Sequence, residues 1–375
     1  TMDFALNDDH LALRDAVQRF CNGEYPVQHR GNRETADQSS KRRVAMAELG
    51  LLGLPFGAEV GGSELGSVEV MLVATELGRA LGDGAFISST VMAGQLLARL
   101  GNTAQRQQWL TPMSRGMSVA AVALYEDGAR YQWQRSLTRA VAAGQGWVLN
   151  GRKTLILNGD GATLLLVVAR TTGEPGDRDG LTVLAVDANS PGVCVNGFDT
   201  LDGRRAAHIN FQDVVLSADR VLGVVGNAAD DVEAALDATV AALCAEAVGA
   251  VDALLVHTAD HLRTRKQFGA PLAKFQVLQH RVADIAISLE MLKSMACAAA
   301  MAVQGNDRNQ RMRLVSAAKA LVSQKGREIG LAVIQLHGAM GMTDECRVGH
   351  YVKRLLVIGQ LFGDADWHLK RMTQI

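Results

Sequence analysis

The sequence predicts an α+β multidomain fold, with an N-terminal helical domain, a central β-sandwich or barrel and a C-terminal four-helix bundle. Three observations predict it. The chain has 375 residues, more than one ordinary core holds, so two or three packed units are expected. Hydrophobic residues make up 48% but aromatics only 5%, so the apolar mass is mainly Ala, Leu and Val, which suits close-packed helices. The texture also changes twice along the chain, which divides it into residues 1–115, 116–225 and 226–375.

In the first segment, Leu11, Leu13, Val17 and Phe20 mark an amphipathic helix with Asn7 or Asp8 as its N-cap. Ala45 to Leu52 reads as a short helix stopped by Gly53 and Pro55, and the stretch 57–66 is a Gly-rich turn. Val68 to Leu81 and Ser88 to Leu100 are apolar enough to be buried helices. The second segment is a series of short strand-like runs at 119–124, 139–142, 147–149, 154–157, 162–169, 181–186 and 207–211. Turn signals at Asn150-Gly151, Asn158-Gly159, Pro175-Gly176 and Pro191-Gly192 punctuate them. The third segment returns to helix in four long stretches, 229–263, 272–305, 309–340 and 347–371, whose short connections suggest a bundle.

The composition excludes several classes. A net charge of -1 does not suggest a nucleic-acid binder or a polybasic membrane protein. Five widely spaced cysteines without a CxxC pair indicate neither a zinc site nor a disulfide framework, and a reducing cytoplasm is the expected setting. No signal-peptide pattern and no membrane-length apolar run are read from the sequence. No GxGxxG follows a strand, and no Walker A loop, HExxH or GxSxG is present.

Two blocks carry chemistry. Arg263-Thr264-Arg265-Lys266-Gln267-Phe268-Gly269, continuing to Phe275-Gln276, lies where one long helix ends and the next begins. A guanidinium there can grip a pyrophosphate bidentately, and Phe268 offers a surface for a ring. The competing reading is a basic helix C-terminus followed by a Gly stop. In Gln335-Leu336-His337-Gly338-Ala339-Met340-Gly341-Met342, two glycines permit close backbone approach and a Gln can bond an adenine or phosphate edge. A glycine-capped helix end is the alternative there.

Together, in this order and about 70 residues apart, these blocks resemble the C-terminal flavin-binding segments of the acyl-CoA dehydrogenase family. The resemblance covers nearly the whole chain, including Glu48 to Leu54, Glu76 to Arg79 and Asn150 to Gly159. It implies an FAD cofactor held partly across subunits in an oligomer, commonly a tetramer. Arg265, Gln267, Phe268 and Gln276 would contact FAD, Gln335, Gly338 and Ala339 would approach the FAD of a neighbouring subunit, and Leu155, Ile156 and Leu157 would lie against the isoalloxazine. The implied reaction removes an α-proton from an acyl-CoA thioester while a hydride leaves the β-carbon for the flavin. Electrons then pass to an electron-transfer flavoprotein.

The chain departs from the family at the base. Phe362 stands where most members carry the catalytic Glu, and Thr239 stands at the alternative position on the first bundle helix. Glu246, in an otherwise apolar run on that helix, is the candidate replacement, with ion pairing to an Arg as its other reading. Asp364 either contacts the flavin edge or caps its loop. Leu124-Tyr125-Glu126-Asp127-Gly128-Ala129 lacks the Ser/Thr hydroxyls that many relatives place near the flavin. The ending from Phe362 to His368 resembles a bacterial subgroup of two-chain members, such as the small subunit of pimeloyl-CoA dehydrogenase. Two assemblies are therefore expected: a homo-oligomer using Glu246, or a partner subunit completing the FAD site of a sister chain. A flavin-free structural or regulatory protein and a flavin oxidase of other chemistry are the alternatives.

Overall fold

The computed structural model describes residues 6–26, 35–82, 85–343 and 345–374. In chain order the helices are α1 (Asp8–Glu24), α2 (Ala36–Glu48), α3 (Ser67–Ala80), a π-helix (Phe86–Ala93), α4 (Gly94–Leu100) and α5 (Thr103–Ser114). The strands follow: β1 (Ala120–Ala123), β2 (Arg139–Ala143), β3 (Gly146–Leu157), β4 (Leu164–Arg170), β5 (Leu181–Asp187), β6 (Val193–Asp199), β7 (Arg205–Ser217) and β8 (Val221–Leu222). The chain then forms α6 (Ala229–Thr264), β9 (Lys266–Gln267), β10 (Ala270–Pro271), α7 (Gln276–Gln304), α8 (Arg308–His337), α9 (Arg347–Gln360) and α10 (Ala365–Met372).

Two compact units result, residues 1–33, 67–83 and 240–375, and residues 34–66 and 84–239, with α6 passing from the second into the first. The second unit holds a mixed sheet in the order β6-β7-β3-β2-β4-β5-β8, with β1 running parallel to β4. Its core is built from inward side chains such as Leu149, Leu165, Val167, Leu184, Ile209 and Phe211. β4 is buried at every position, which explains its unbroken apolar run.

Several elements differ from the sequence expectation. α2 begins at Ala36 because Thr35 and Gln38 form a capping box, and the expected stretch 45–52 is only its end plus a 3₁₀ turn. Asn150-Gly151 is no turn: both lie inside β3, where Gly151 (φ 147°) comes so close to Thr138 that a Cβ would sit 2.5 Å from its Oγ1. β6 escapes prediction because none of its residues is fully buried and Asn196-Gly197 interrupts its apolar run. The fourth expected long helix is two, α9 and α10, broken at 361–364. α6 and α7 are also long and apolar enough to cross a membrane by length and composition, contrary to the sequence reading. α6 is mostly buried in protein, so its apolarity is answered by packing there.

In the first unit α3 and α6 cross at near backbone contact. A Cβ on Gly78 would overlap the Glu246 carbonyl, and one on Gly249 the Thr75 carbonyl. Only glycine allows two helices this close.

Candidate active site

The second unit supplies a wall. Past Lys153 the pairing of β3 with β7 slips and resumes at Ile156. At this bulge Leu155 takes a left-handed conformation (φ 51°), and its amide donates to His208 Nδ1 at 3.4 Å. The His208 ring stacks on Phe198 with centroids 4.6 Å apart. Leu155 is exposed and Leu157 half-buried. Ile156 belongs to the sheet core, so its side chain is not on the surface the sequence assigned to it. Pleating sends neighbouring side chains to opposite faces, and three consecutive residues cannot all face one ring.

Behind the wall lies a buried ion pair that sequence reading missed. Lys153 Nζ bonds Glu126 Oε1 at 2.7 Å, the Leu124 carbonyl at 3.1 Å and Ser136 Oγ at 3.1 Å. Glu126 accepts from the amides of Leu137 and Thr138 at 2.7 and 3.0 Å and from Ser136 Oγ at 2.9 Å. Burial lowers the Lys153 pKa to about 8 against the opposing pull of Glu126. Burial also works against the Glu126 charge, but Lys153 and the two amides hold its pKa below the ordinary value. This network ties the segment 124–127 to β3.

The first unit supplies two arms. β9 and β10 form a hairpin whose two-residue turn, Phe268 (φ 55°) and Gly269 (φ 77°), needs positive φ at both positions. A bulky residue held there costs about 1–3 kcal/mol. The outcome is a Phe268 ring that is 90% exposed, touched at its edge by Phe275, 6.1 Å away. Arg265, Lys266, Gln267 and Gln276 are exposed around it. The N-cap of α7 makes no side-chain hydrogen bond; the Leu278 and Gln279 amides are taken by the Phe275 carbonyl at 3.0 and 3.2 Å, which leaves those of Gln276 and Val277 to face outward. In the second arm α8 ends at Gly338 (φ 63°, ψ −148°), a conformation essentially restricted to glycine. Gln335, Gly338 and Ala339 are all exposed. Among the described residues, the side chains of Arg265, Gln267, Gln276 and Gln335 find no hydrogen-bond partner.

The break between α9 and α10 is tightly held. Phe362 is left-handed (φ 56°), and a Cβ on Gly363 would come within 2.6 Å of the Trp367 ring. Lys319 Nζ, fully buried, donates to the carbonyls of Gly363 (2.6 Å) and Gly359 (3.2 Å) and to Ser323 Oγ (3.2 Å). His368 Nε2 donates to the Phe362 carbonyl at 3.2 Å, and its Nδ1 accepts from Ser316 Oγ at 3.2 Å. Burial lowers Lys319 to about 8 and, with the help of Lys319 and Arg371, His368 to about 2. Asp364 is the N-cap of α10, accepting from the Trp367 amide at 2.9 Å, which is the loop-capping reading of that residue.

Glu246 is buried and paired. Arg354 of α9 donates Nε to Oε1 at 2.8 Å and Nη2 to Oε2 at 2.6 Å, with both side chains almost wholly covered. Nearly two turns along on α6, Asp252 pairs with Arg79, which also bonds Glu76 at 3.1 Å. Thr239 spends its hydroxyl on the Ala235 carbonyl at 2.7 Å.

The arms fit a flavin dinucleotide. Unspent cationic and amide donors beside an uncapped helix start suit a diphosphate, and the uncovered Phe268 suits a ring. The wall offers apolar side chains and backbone, with Leu155 exposed and Leu157 half-buried.

Comparison with known proteins bears on the family and the fold. Residues 7–117, 121–214 and 230–374 match the sequence profiles of the N-terminal, middle and C-terminal domains of acyl-CoA dehydrogenases. The mouse mitochondrial short-chain specific acyl-CoA dehydrogenase is 29% identical, over 93% of this chain and 85% of the mouse protein. In structure the chain is similar to butyryl-CoA dehydrogenase from Megasphaera elsdenii (TM-score 0.90, 22% identity, 100% and 99% of the two chains). It is also similar to a chain of the ChsE4-ChsE5 complex from Mycobacterium tuberculosis (TM-score 0.88, 24% identity, 100% and 98% covered).

Proposed function

The chain belongs to the acyl-CoA dehydrogenase family, and from that membership we propose that it is the base-deficient subunit of an FAD-dependent, heteromeric acyl-CoA dehydrogenase. Its arms complete the FAD site of a sister chain. The observation that carries this reading is residue 362. The turn that carries it is held by Lys319 and His368, yet the side chain there is Phe, buried and unable to accept a proton. FAD, when bound, supplies the acceptor for the β-hydride. The α-proton needs a carboxylate that can reach the substrate. Glu246 is buried with both oxygens turned to Arg354, and Thr239 has no carboxylate to offer.

On the sister chain's FAD, Arg265 and the amides of Gln276 and Val277 would hold the diphosphate and Phe268 would cover apolar surface. Gln335 and the Gly338–Ala339 backbone would meet the remaining nucleotide edge. The substrate class is an acyl-CoA thioester, and the electrons leave to an electron-transfer flavoprotein in the cytoplasm. The fold is shared with a chain solved as part of a two-protein complex, which accords with a heteromeric assembly.

The test is a visible absorption spectrum of the purified chain, alone and co-expressed with the product of the adjacent gene. A flavin band is expected only with the partner. A stoichiometric band from the chain alone, with acyl-CoA turnover, overturns the proposal in favour of a self-sufficient homo-oligomer.

A further inference from the structure

The two arms meet through a pair of rings. The imidazoles of His261 and His337 stack with centroids 4.4 Å apart and planes 24° from parallel. Each lies at the root of an arm. His261 is one helical turn before Arg265, whose amide donates to the His261 carbonyl at 2.8 Å. His337 immediately precedes Gly338, and its Nδ1 lies 3.0 Å from the Val333 carbonyl. A carbonyl only accepts, so Nδ1 carries the proton of the neutral ring. The turn that follows folds back on it: a Cβ on Gly341 would lie 3.1 Å from the His337 Cβ.

The surroundings favour neutral rings. Burial lowers both pKa values. His337 and then Arg265 lower His261 further, while the Val333 bond partly restores His337. The nearest carboxylate along α6, Asp260, is paired with Arg263 at 3.2 Å. His257, one turn earlier, packs on the Tyr351 ring 5.9 Å away. Arg347 and His350 lie on the first turn of α9, which packs on the turn Gly338–Met342. Of these neighbours, the arginines repel any added positive charge.

We propose that the His261–His337 stack is a brace that fixes the spacing of the two arms, and that the arms close on a neighbouring subunit's FAD only while both rings are neutral. The inference rests on the shared-site reading above. Both histidines are positioning residues: the stack sets where Arg265 and Gly338 stand, and protonation adds a cation beside Arg265 and loosens the contact.

The experiment uses the flavin-carrying assembly, whichever it proves to be. The dissociation constant of FAD is read by fluorescence between pH 5 and 8 for the native protein, His261→Ala and His261→Phe. His261→Ala is expected to weaken FAD binding about tenfold, the loss that follows about 1.4 kcal/mol. His261→Phe keeps a flat ring that cannot be protonated, so it should bind near normally and lose the part of the native protein's acid weakening that protonation of His261 causes. Equal binding by all three, or an unchanged acid profile in His261→Phe, overturns the brace.

A second readout is independent of flavin. In the chain labelled with ¹³Cε1-histidine, both rings should titrate below the ordinary histidine value in the NMR spectrum, and ordinary titration of either overturns the proposal. An assembly that never takes up FAD defeats the shared-site reading, and the cofactor role of the arms with it. The titration still decides separately whether the stack exists.

Discussion

Arg354 meets Glu246 through two parallel hydrogen bonds in a region with almost no solvent. At the scale of the residue this decides between the two readings the sequence left open. A lone carboxylate in an apolar helical run is either functional or paired, and the partner here is 108 positions away, beyond any local pattern. The pairing makes a distinct prediction. Glu246→Gln leaves a buried guanidinium without its counter-charge, so the denaturation midpoint should fall by the equivalent of about 3–5 kcal/mol. Replacing both partners, Glu246→Leu with Arg354→Met, should recover most of that loss. If Glu246→Gln instead melts like the native protein while the assembled enzyme stops turning over, Glu246 is a base after all. Phe362 and Phe268 show the same scale from another side. Each is a bulky residue held left-handed, at the tip of a turn that the surrounding backbone fixes.

Between elements, α3 and α6 cross with their backbones nearly touching. Gly78 and Gly249 let the two backbones touch, and this lets Arg79, bonded to Glu76 within α3, pair also with Asp252 of α6 beside the contact. A methyl group at 249 has no room, because the Thr75 carbonyl occupies its place. Gly249→Ala is therefore expected to lower stability by about 1–3 kcal/mol. Gly305→Ala, where the nearest atom to a new Cβ is 3.5 Å away, serves as the control and should change little. Comparable melting of the two variants would show that the helices can move apart freely. The break at 361–364 is an element-scale feature that local signals could have revealed. A glycine followed by an aspartate N-cap reads as a helix stop and a new start. The apolar periodicity on either side masks it.

Over the whole molecule, stability depends on groups buried in their neutral state. His368 has a pKa of about 2 in the fold against an ordinary 6.5, with His261 and His337 displaced in the same direction. The unfolded chain therefore binds more protons below about pH 6.5. The stability His368 contributes is complete above that pH and is lost as pH falls toward 2, by up to about 1.4 kcal/mol per unit. Urea midpoints between pH 4.5 and 7.5 should show this slope, and His368→Gln should flatten it. A slope equal to that of the native protein would mean His368 is not held neutral.

The sequence by itself determined the helix–strand–helix order, the family resemblance and both arms, because periodicity, turn residues and short motifs act over a few residues. Arg265, Phe268, Gln335 and Gly338 were nominated for that reason, and so was the missing carboxylate at 362. Only the tertiary structure decided that Glu246 is spent on Arg354, that Ile156 faces a core, that Lys153 and Glu126 anchor the wall, and that His261 stacks on His337. Each of these joins residues distant in the chain, or turns on which face of a strand is covered. Burial and pairing of that kind are fixed by packing, and local sequence carries no record of them.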